Sequence, residues 1–146
     1  AKHYIESYLA HYSGVDSYMK NVVEKANADG YVETMFGRRR NLPELTSSKH
    51  MIRAFGERVA RNMPIQGTAA DIIKIAMIKV DERMKAENLR ARLVLQVHDE
   101  LIVEAPQDES MRVALIVQEE MENAVKMSVP LTADAAIGRT WYDAKG

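Results

Sequence analysis

Two apolar runs on either side of a polar triplet constrain the fold of this chain more than any other feature. The runs span residues 93–97 and 101–103, and His98, Asp99 and Glu100 lie between them. Short runs rich in Val, Leu and Ile are typical of strands, and a polar triplet between them is typical of a tight turn. Residues 91–105 are therefore predicted to form a β-hairpin with an imidazole and two carboxylates at its tip.

Composition indicates a globular cytoplasmic chain. Its 146 residues suffice for one domain, or for part of a larger one, with a buried core. No apolar run reaches the roughly 20 residues that a membrane-spanning helix needs, and the N-terminus has no secretory signal. The absence of cysteine excludes disulfides and thiolate metal sites. The absence of an initiator Met leads us to expect an excised or processed chain.

The net charge of −1 hides an uneven distribution. Residues 31–62 contain seven Lys or Arg and three Asp or Glu, whereas residues 81–146 contain eight and thirteen. A basic block can face phosphates and an acidic block can hold metal ions. A mixed, solvated surface is the alternative.

Hydrophobic periodicity predicts most of the secondary structure. Helices are predicted over residues 2–12, 15–28, 49–62, 68–86 and 108–127. Gly30 is predicted to end the second helix, residues 46–48 to cap the third, and Pro64 and Gly67 to break or kink the chain. Residues 31–36 are predicted to be extended, 38–43 to be a loop and 131–137 to be a final strand. This order predicts an α+β fold, with an antiparallel sheet covered by helices.

The hairpin tip is a candidate metal site. Mg²⁺ prefers oxygen ligands, so Asp99 can supply one ligand and Glu100 a second or outer one. Adjacent strand residues point to opposite faces, so both reach one ion only if the turn breaks the alternation. A polar turn with solvated charges, and a His98 that only makes hydrogen bonds, are the alternatives.

A polar stripe is predicted on the helix that precedes the hairpin. Arg58, Asn62 and Gln66 recur at intervals of four and share one helix face. Such side chains bond to phosphates and to base edges, and minor-groove acceptors are similar for every base pair. The stripe can therefore test duplex shape without reading sequence. The arginines at 38–40 are candidate phosphate contacts. An ordinary solvated surface is the alternative for both features.

The chain resembles the C-terminal part of the bacterial family A DNA polymerases. Four segments carry the resemblance over nearly the whole chain: residues 30–40, 62–71, 96–101, and 129–131 with Gly138 and Trp141. The resemblance implies a palm-type antiparallel sheet, made of the motif C hairpin and a C-terminal strand and covered by helices. It also implies an N-terminal helical fingers segment. Residues 1–146 would be a single partial polymerase domain, with fingers over about 1–50 and palm over about 51–146.

The resemblance also implies roles for individual residues. Asp99 would be the motif C aspartate that binds the catalytic metal ions, with Glu100 as the neighbouring, less essential carboxylate. His98 would lie near the primer terminus, and Arg40 would contact the template backbone. Contacts to template and primer in the minor groove would come from Arg58, Asn62 and Gln66. The intact enzyme would add dNTPs to a primer 3′-hydroxyl with two Mg²⁺ ions in replication and repair, in the bacterial cytoplasm at the nucleoid.

Several parts of that family are missing from this sequence. The second metal-binding aspartate, the nucleotide-binding helix and the thumb all lie upstream in the family. Two-metal transfer needs ions about 3.5–4 Å apart, held by more carboxylates than one turn supplies. We therefore expect a fragment that is inactive alone and that needs the rest of the polymerase chain. An open sheet edge and apolar surface would favour self-association or loose packing of the fragment.

Two other functional classes remain open from the residues alone. A non-catalytic module could bind duplex DNA with an affinity that falls as salt rises. A metal-dependent phosphohydrolase could use the residues of the hairpin tip. No second ligand cluster accompanies that tip, because His3, His11 and His50 are scattered. No membrane partner is expected.

Overall fold

The computed structural model describes residues 2–145, so the predicted ends of the domain, Ala1 and Gly146, lie outside it. The helices are α1 (Lys2–His11), α2 (Ser13–Asp29), α3 (His50–Ala86), α4 (Ser110–Glu122) and α5 (Trp141–Ala144), with a short 3-10 helix at Pro43–Thr46. The strands are β1 (Tyr31–Glu33), β2 (Arg39–Asn41), β3 (Arg92–Val97) and β4 (Glu100–Glu104). The strands pair as two antiparallel hairpins, which with the helices confirms the α+β class. None of the described helices has the length and apolar character of a membrane span.

The chain folds as two compact units, one ending at Thr68 and the other beginning at Ala69. The buried core of the first unit consists of Ala26, Val32, Leu42, Leu45 and Ala60. The buried core of the second unit consists of Val80, Met84, Ala91, Val113 and Ile116. Each unit therefore has its own apolar core, and α3 contributes residues to both.

The predicted loop at residues 38–43 is wrong over residues 39–41, which form β2. Its partner β1 ends at Glu33, so the predicted extended segment 31–36 is confirmed only in part. A turn follows, in which the Gly37 N–H donates to the Thr34 carbonyl at 3.0 Å. Gly37 has φ +78°, a conformation that glycine adopts without a steric penalty and that suits hairpin loops of this length.

Of the predicted break or kink at Pro64 and Gly67, the break is wrong, because α3 runs through both residues without interruption. The kink stays a prediction. Proline removes a single N–H donor, and here its own carbonyl accepts a hydrogen bond from the Thr68 hydroxyl. Glycine is needed at position 67 because the β1–β2 turn packs closely against α3 there, and not because the chain turns. A Cβ atom on Gly67 would lie 2.7 Å from Cγ2 of Thr34, closer than packed carbon atoms come.

Two nearly buried threonines fix the β1–β2 turn on α3. The Thr68 hydroxyl accepts from the Met35 N–H at 3.0 Å. The Thr34 hydroxyl accepts from the backbone N–H groups of Phe36 and Arg38, each at 3.2 Å. The Arg38 guanidinium in turn donates to the Gly67 carbonyl at 3.0 Å. These bonds hold the turn against the helix at the point where Gly67 permits contact.

A network of ion pairs joins the end of α3 to α4 in the second unit. Arg83 lies 3.3 Å from Glu87, 2.6 Å from Glu119 and 2.8 Å from Glu120. Arg112 donates two hydrogen bonds to Glu87, each 2.6 Å long. The pKa of Glu87 is lowered, mainly by the hydrogen bonds that Arg112 donates to it. The pKa of Arg83 is raised, mainly by its hydrogen bond to Glu120. Both side chains therefore stay charged across the physiological range.

The β3–β4 hairpin confirms the prediction over residues 91–105. Its start is held by Glu109, whose carboxylate accepts from the backbone N–H groups of Arg90 and Ala91 at 2.9 and 3.2 Å. The same carboxylate accepts from the Arg90 guanidinium at 2.9 Å. The hairpin is therefore anchored at its open end, and its tip points away from these bonds.

The C-terminal strand predicted at residues 131–137 is wrong, because this segment has no regular structure. A strand needs a neighbour for its ladder of hydrogen bonds, and β3 and β4 pair only with each other among the described residues. The preceding helix is shorter than the predicted 108–127. It ends at Glu122, and Lys79 donates to the carbonyls of Asn123 and Ala124 at 2.8 and 3.1 Å. A lysine that bonds these carbonyls stabilises a helix end.

We predict that Gly67→Ala destabilises the chain by about 1–3 kcal/mol, the usual cost of overpacking. The added methyl would meet Cγ2 of Thr34. Thr34→Ser removes that methyl and keeps the hydroxyl, so it should recover part of the loss in the double variant. Urea unfolding followed by circular dichroism at 222 nm measures both effects.

Gly14→Ala is the matched control, because nothing lies within 4 Å of a Cβ atom at that helical glycine. It should stabilise the chain by roughly 0.5–1 kcal/mol through helix propensity alone. A Gly67→Ala variant as stable as Gly14→Ala would contradict the close-approach explanation.

Candidate functional site

The tip of the β3–β4 hairpin is a two-residue turn of His98 and Asp99. Val97 is paired with Glu100 across the turn. Asp99 is exposed, and no described residue donates a hydrogen bond to its carboxylate. Glu100 is half-buried, and one of its oxygens lies 3.3 Å from Nζ of Lys145. The two carboxylates therefore differ: that of Asp99 faces solvent, and that of Glu100 is in an ion pair.

The backbone at the tip has a conformation that few residues adopt. His98 has φ +54°, in the left-handed region. The side-chain amide of Gln96, two residues earlier, donates a hydrogen bond to the His98 carbonyl. The turn is therefore held by a side chain of its own strand as well as by the ladder.

The tip residues are chemically suited to a hard cation but do not form a complete site. Carboxylate oxygens are the ligands that Mg²⁺ prefers, and Mg²⁺ usually takes one or two of them together with waters and substrate phosphates. No group of three or more His, Cys, Asp or Glu side chains that could hold an ion occurs within residues 2–145. Asp99 and Glu100 thus fit one or two ligand positions of such a site.

The predicted polar stripe lies on a single uninterrupted helix in the first unit. Arg58, Asn62 and Gln66 are all exposed on α3. The guanidinium of Arg58 lies 5.8 Å from the ring centroid of Phe55, within the range of a cation–π contact. Residues at i, i+4 and i+8 fall along one side of a helix, so the stripe is continuous over about two turns.

The three consecutive arginines have different surroundings. Arg38 donates to the Gly67 carbonyl, as described above. Arg39 lies 3.2 Å from Glu33 and 4.4 Å from the ring centroid of Tyr31. Arg40 is exposed and is paired with Val32 in the ladder. Arg40 is therefore the arginine best placed for a contact outside the chain.

Sequence reasoning overlooked the residues that support the site. Gln96, Thr34, Thr68 and Lys145 were not singled out, although each bonds to a site segment or to its anchor. A weak signal existed for Gln96, which is an amide in an otherwise apolar run. No comparable signal marks Lys145, because its pairing with Glu100 depends on the path of the chain after α4.

Comparisons with known proteins identify the family. Residues 1–143 match the profile of DNA polymerase family A. The chain is 54% identical over 145 residues to DNA polymerase I of Bacillus caldotenax, and equally to that of Geobacillus stearothermophilus. The match covers 99% of this chain, but 16% and 17% of those relatives. The chain belongs to DNA polymerase family A.

A solved structure matches the fold over the same extent. It is described as the POL domain of Pol1 from M. smegmatis in complex with DNA primer-template and dNTP. The TM-score is 0.95 at 47% sequence identity, and the match covers 99% of this chain and 26% of that one. The chain therefore spans a small part of the proteins that it resembles.

Proposed function

We propose that this chain is part of a longer, template-directed DNA polymerase, which we call the parent polymerase. Residues 1–146 would form one partial polymerase domain, with about 1–50 in the fingers and about 51–146 in the palm. The observation that carries the proposal is the match over 99% of the chain to a polymerase domain described in complex with primer-template and dNTP. The parent polymerase would join the primer 3′-hydroxyl to the α-phosphate of an incoming dNTP and release pyrophosphate, in DNA replication and repair.

Asp99 is the residue that we assign to the catalytic metal, and Glu100 is its neighbouring catalytic carboxylate. The support is chemical: the Asp99 carboxylate is exposed at the hairpin tip, with no described donor to compete for its oxygens. Two Mg²⁺ ions, when bound, would activate the primer hydroxyl and stabilise the charge on the transferred phosphate. The Asp99 carboxylate would supply one oxygen ligand to the metal. Glu100, which is paired with Lys145, would supply a weaker ligand.

The stripe of Arg58, Asn62 and Gln66 is assigned to the minor groove of the primer-template. Its amides can donate to the acceptors that every correct base pair presents there. His98 would lie near the primer terminus, since it shares the turn with Asp99. Arg40 would contact a template phosphate. These contacts favour the polymerase proposal over a module that only binds duplex DNA, because the same chain also carries Asp99, a candidate metal ligand.

The chain alone should not polymerise DNA. Two bound ions need more carboxylates than Asp99 and Glu100 supply, so the rest of the parent polymerase must complete the site. In isolation the chain should also self-associate, because β3 keeps Val94 and Leu95 about half exposed, at 52% and 46%. We place the parent polymerase in the bacterial cytoplasm, at the nucleoid.

We predict that Asp99→Asn in the parent polymerase lowers kcat by more than about a hundredfold. Metal coordination is worth several kcal/mol in the transition state, and each 1.36 kcal/mol is a factor of ten. Binding of primer-template should change by less than about threefold, because the side chain is not assigned to the duplex. Single-turnover extension and fluorescence anisotropy measure the two quantities.

Asp134→Asn is the matched control for that experiment, since Asp134 is exposed and lies in the irregular segment after α4. It should leave both kcat and DNA affinity unchanged. Near-normal extension by Asp99→Asn would refute the assignment of Asp99, and with it the proposed palm site.

We also predict that Asn62→Ala and Gln66→Ala each lower kcat/KM for matched primer termini by about fivefold to tenfold, the effect of one or two neutral hydrogen bonds. The ratio between matched and mismatched termini should fall, because a mismatch displaces the groove acceptors that these amides test. Asn21→Ala is the matched control, an exposed helical asparagine on α2. Unchanged discrimination in both stripe variants would remove the stripe from the duplex contact.

A further inference from the structure

We propose that Gln96 is a positioning residue that fixes the orientation of Asp99 at the hairpin tip. Its side-chain amide donates to the carbonyl of His98. That carbonyl belongs to the peptide unit that joins His98 to Asp99. A peptide unit is planar, so holding its oxygen also sets the direction of the Asp99 N–H and Cα. This inference rests on the proposed metal-binding role of Asp99.

The turn has a reason to need such support. Two-residue hairpins use type I′ turns, with φ positive at both central residues, or type II′ turns, with φ positive at the first only. His98 has φ +54°, and Asp99 is not among the described residues with positive φ. The signs of φ at the two central residues are therefore those of a type II′ turn, in which the first central residue is normally glycine. Here that position is occupied by a histidine.

The two turn types differ mainly in the orientation of the central peptide. In type II′ and in type I′ the His98 carbonyl points in nearly opposite directions, as the ψ angles of the first central residue require. Asp readily adopts the left-handed conformation that type I′ would require of it. A flip would redirect the Asp99 side chain without breaking the hairpin. The bond from Gln96 selects one orientation and prevents that flip.

The location of Gln96 supports this function. It lies in β3 opposite Leu101, and it is half-buried, where an aliphatic side chain would otherwise be suitable. On the other side of the turn, Lys145 holds Glu100 at 3.3 Å. The two carboxylates are thus oriented by different groups, Asp99 through the backbone and Glu100 directly.

The test is Gln96→Met in the parent polymerase, which keeps the side-chain length and removes the donor. We expect kcat to fall by about fivefold to tenfold, the effect of one lost hydrogen bond, with KM for primer-template changed by less than about twofold. Binding of Mn²⁺ to the complex with DNA, measured by electron paramagnetic resonance without turnover, should weaken by a similar factor. Gln107→Met is the matched control, an exposed glutamine in the loop before α4, and should leave all three unchanged.

A double variant separates positioning from general stability. Glycine adopts the first position of a type II′ turn without strain. Gln96→Met should therefore weaken Mn²⁺ binding less in a His98→Gly background than in the presence of His98. If Gln96→Met does not fold, Gln96→Glu applies the same test, because it keeps the shape and replaces the donor with an acceptor. It should weaken Mn²⁺ binding at least as much.

The outcomes distinguish this inference from the proposed function. If Asp99→Asn abolishes extension while Gln96→Met and Gln96→Glu leave kcat and Mn²⁺ affinity unchanged, the role of Gln96 is refuted and that of Asp99 stands. If Asp99→Asn extends primers normally, the proposed metal-binding role of Asp99 fails, whatever the Gln96 variants do. Equal losses with and without His98→Gly would show that Gln96 acts other than through the turn.

Discussion

The two-residue turn between β3 and β4 determines where the Asp99 carboxylate lies, and the proposed metal site depends on that position. Val97 pairs with Glu100, so His98 and Asp99 alone must reverse the chain. A reversal of this length requires the left-handed backbone at His98, which carries a steric cost. In return the Asp99 carboxylate is presented on a rigid element rather than on a mobile loop. The anchoring of the open end by Glu109 and the bond from Gln96 both serve to keep this geometry.

In the first unit, the polar stripe also lies on an element that neighbouring residues hold in place. An interior proline and a glycine would ordinarily weaken a helix, yet α3 continues through Pro64 and Gly67. The glycine admits Thr34, and the threonine hydroxyls and Arg38 then bond the turn to the helix on either side of it. Gln66 directly precedes Gly67, so the last member of the stripe lies on the part of α3 to which the turn is bonded.

The sequence predicted some of this fold and not the rest, for physical reasons. Hydrophobic periodicity and the capping position of Gly30 are local signals, and they correctly predicted α2 and the hairpin at 91–105. The break at Pro64 and the loop at residues 39–41 were wrong because tertiary contacts outweighed local propensity. The strand at 131–137 was wrong because a strand depends on a neighbour that no local pattern reveals. Asp99 was identified from its unusual setting, whereas the support from Gln96 and Lys145 appears only in three dimensions.

We propose above that Asp99 holds a catalytic divalent cation in the parent polymerase. The most direct test is a crystal structure of the parent polymerase with primer-template, dNTP and Mn²⁺, with anomalous diffraction recorded at the manganese edge. We expect an anomalous peak in direct contact with a carboxylate oxygen of Asp99. A manganese peak bound by other residues, with the Asp99 carboxylate turned away into solvent, would contradict it.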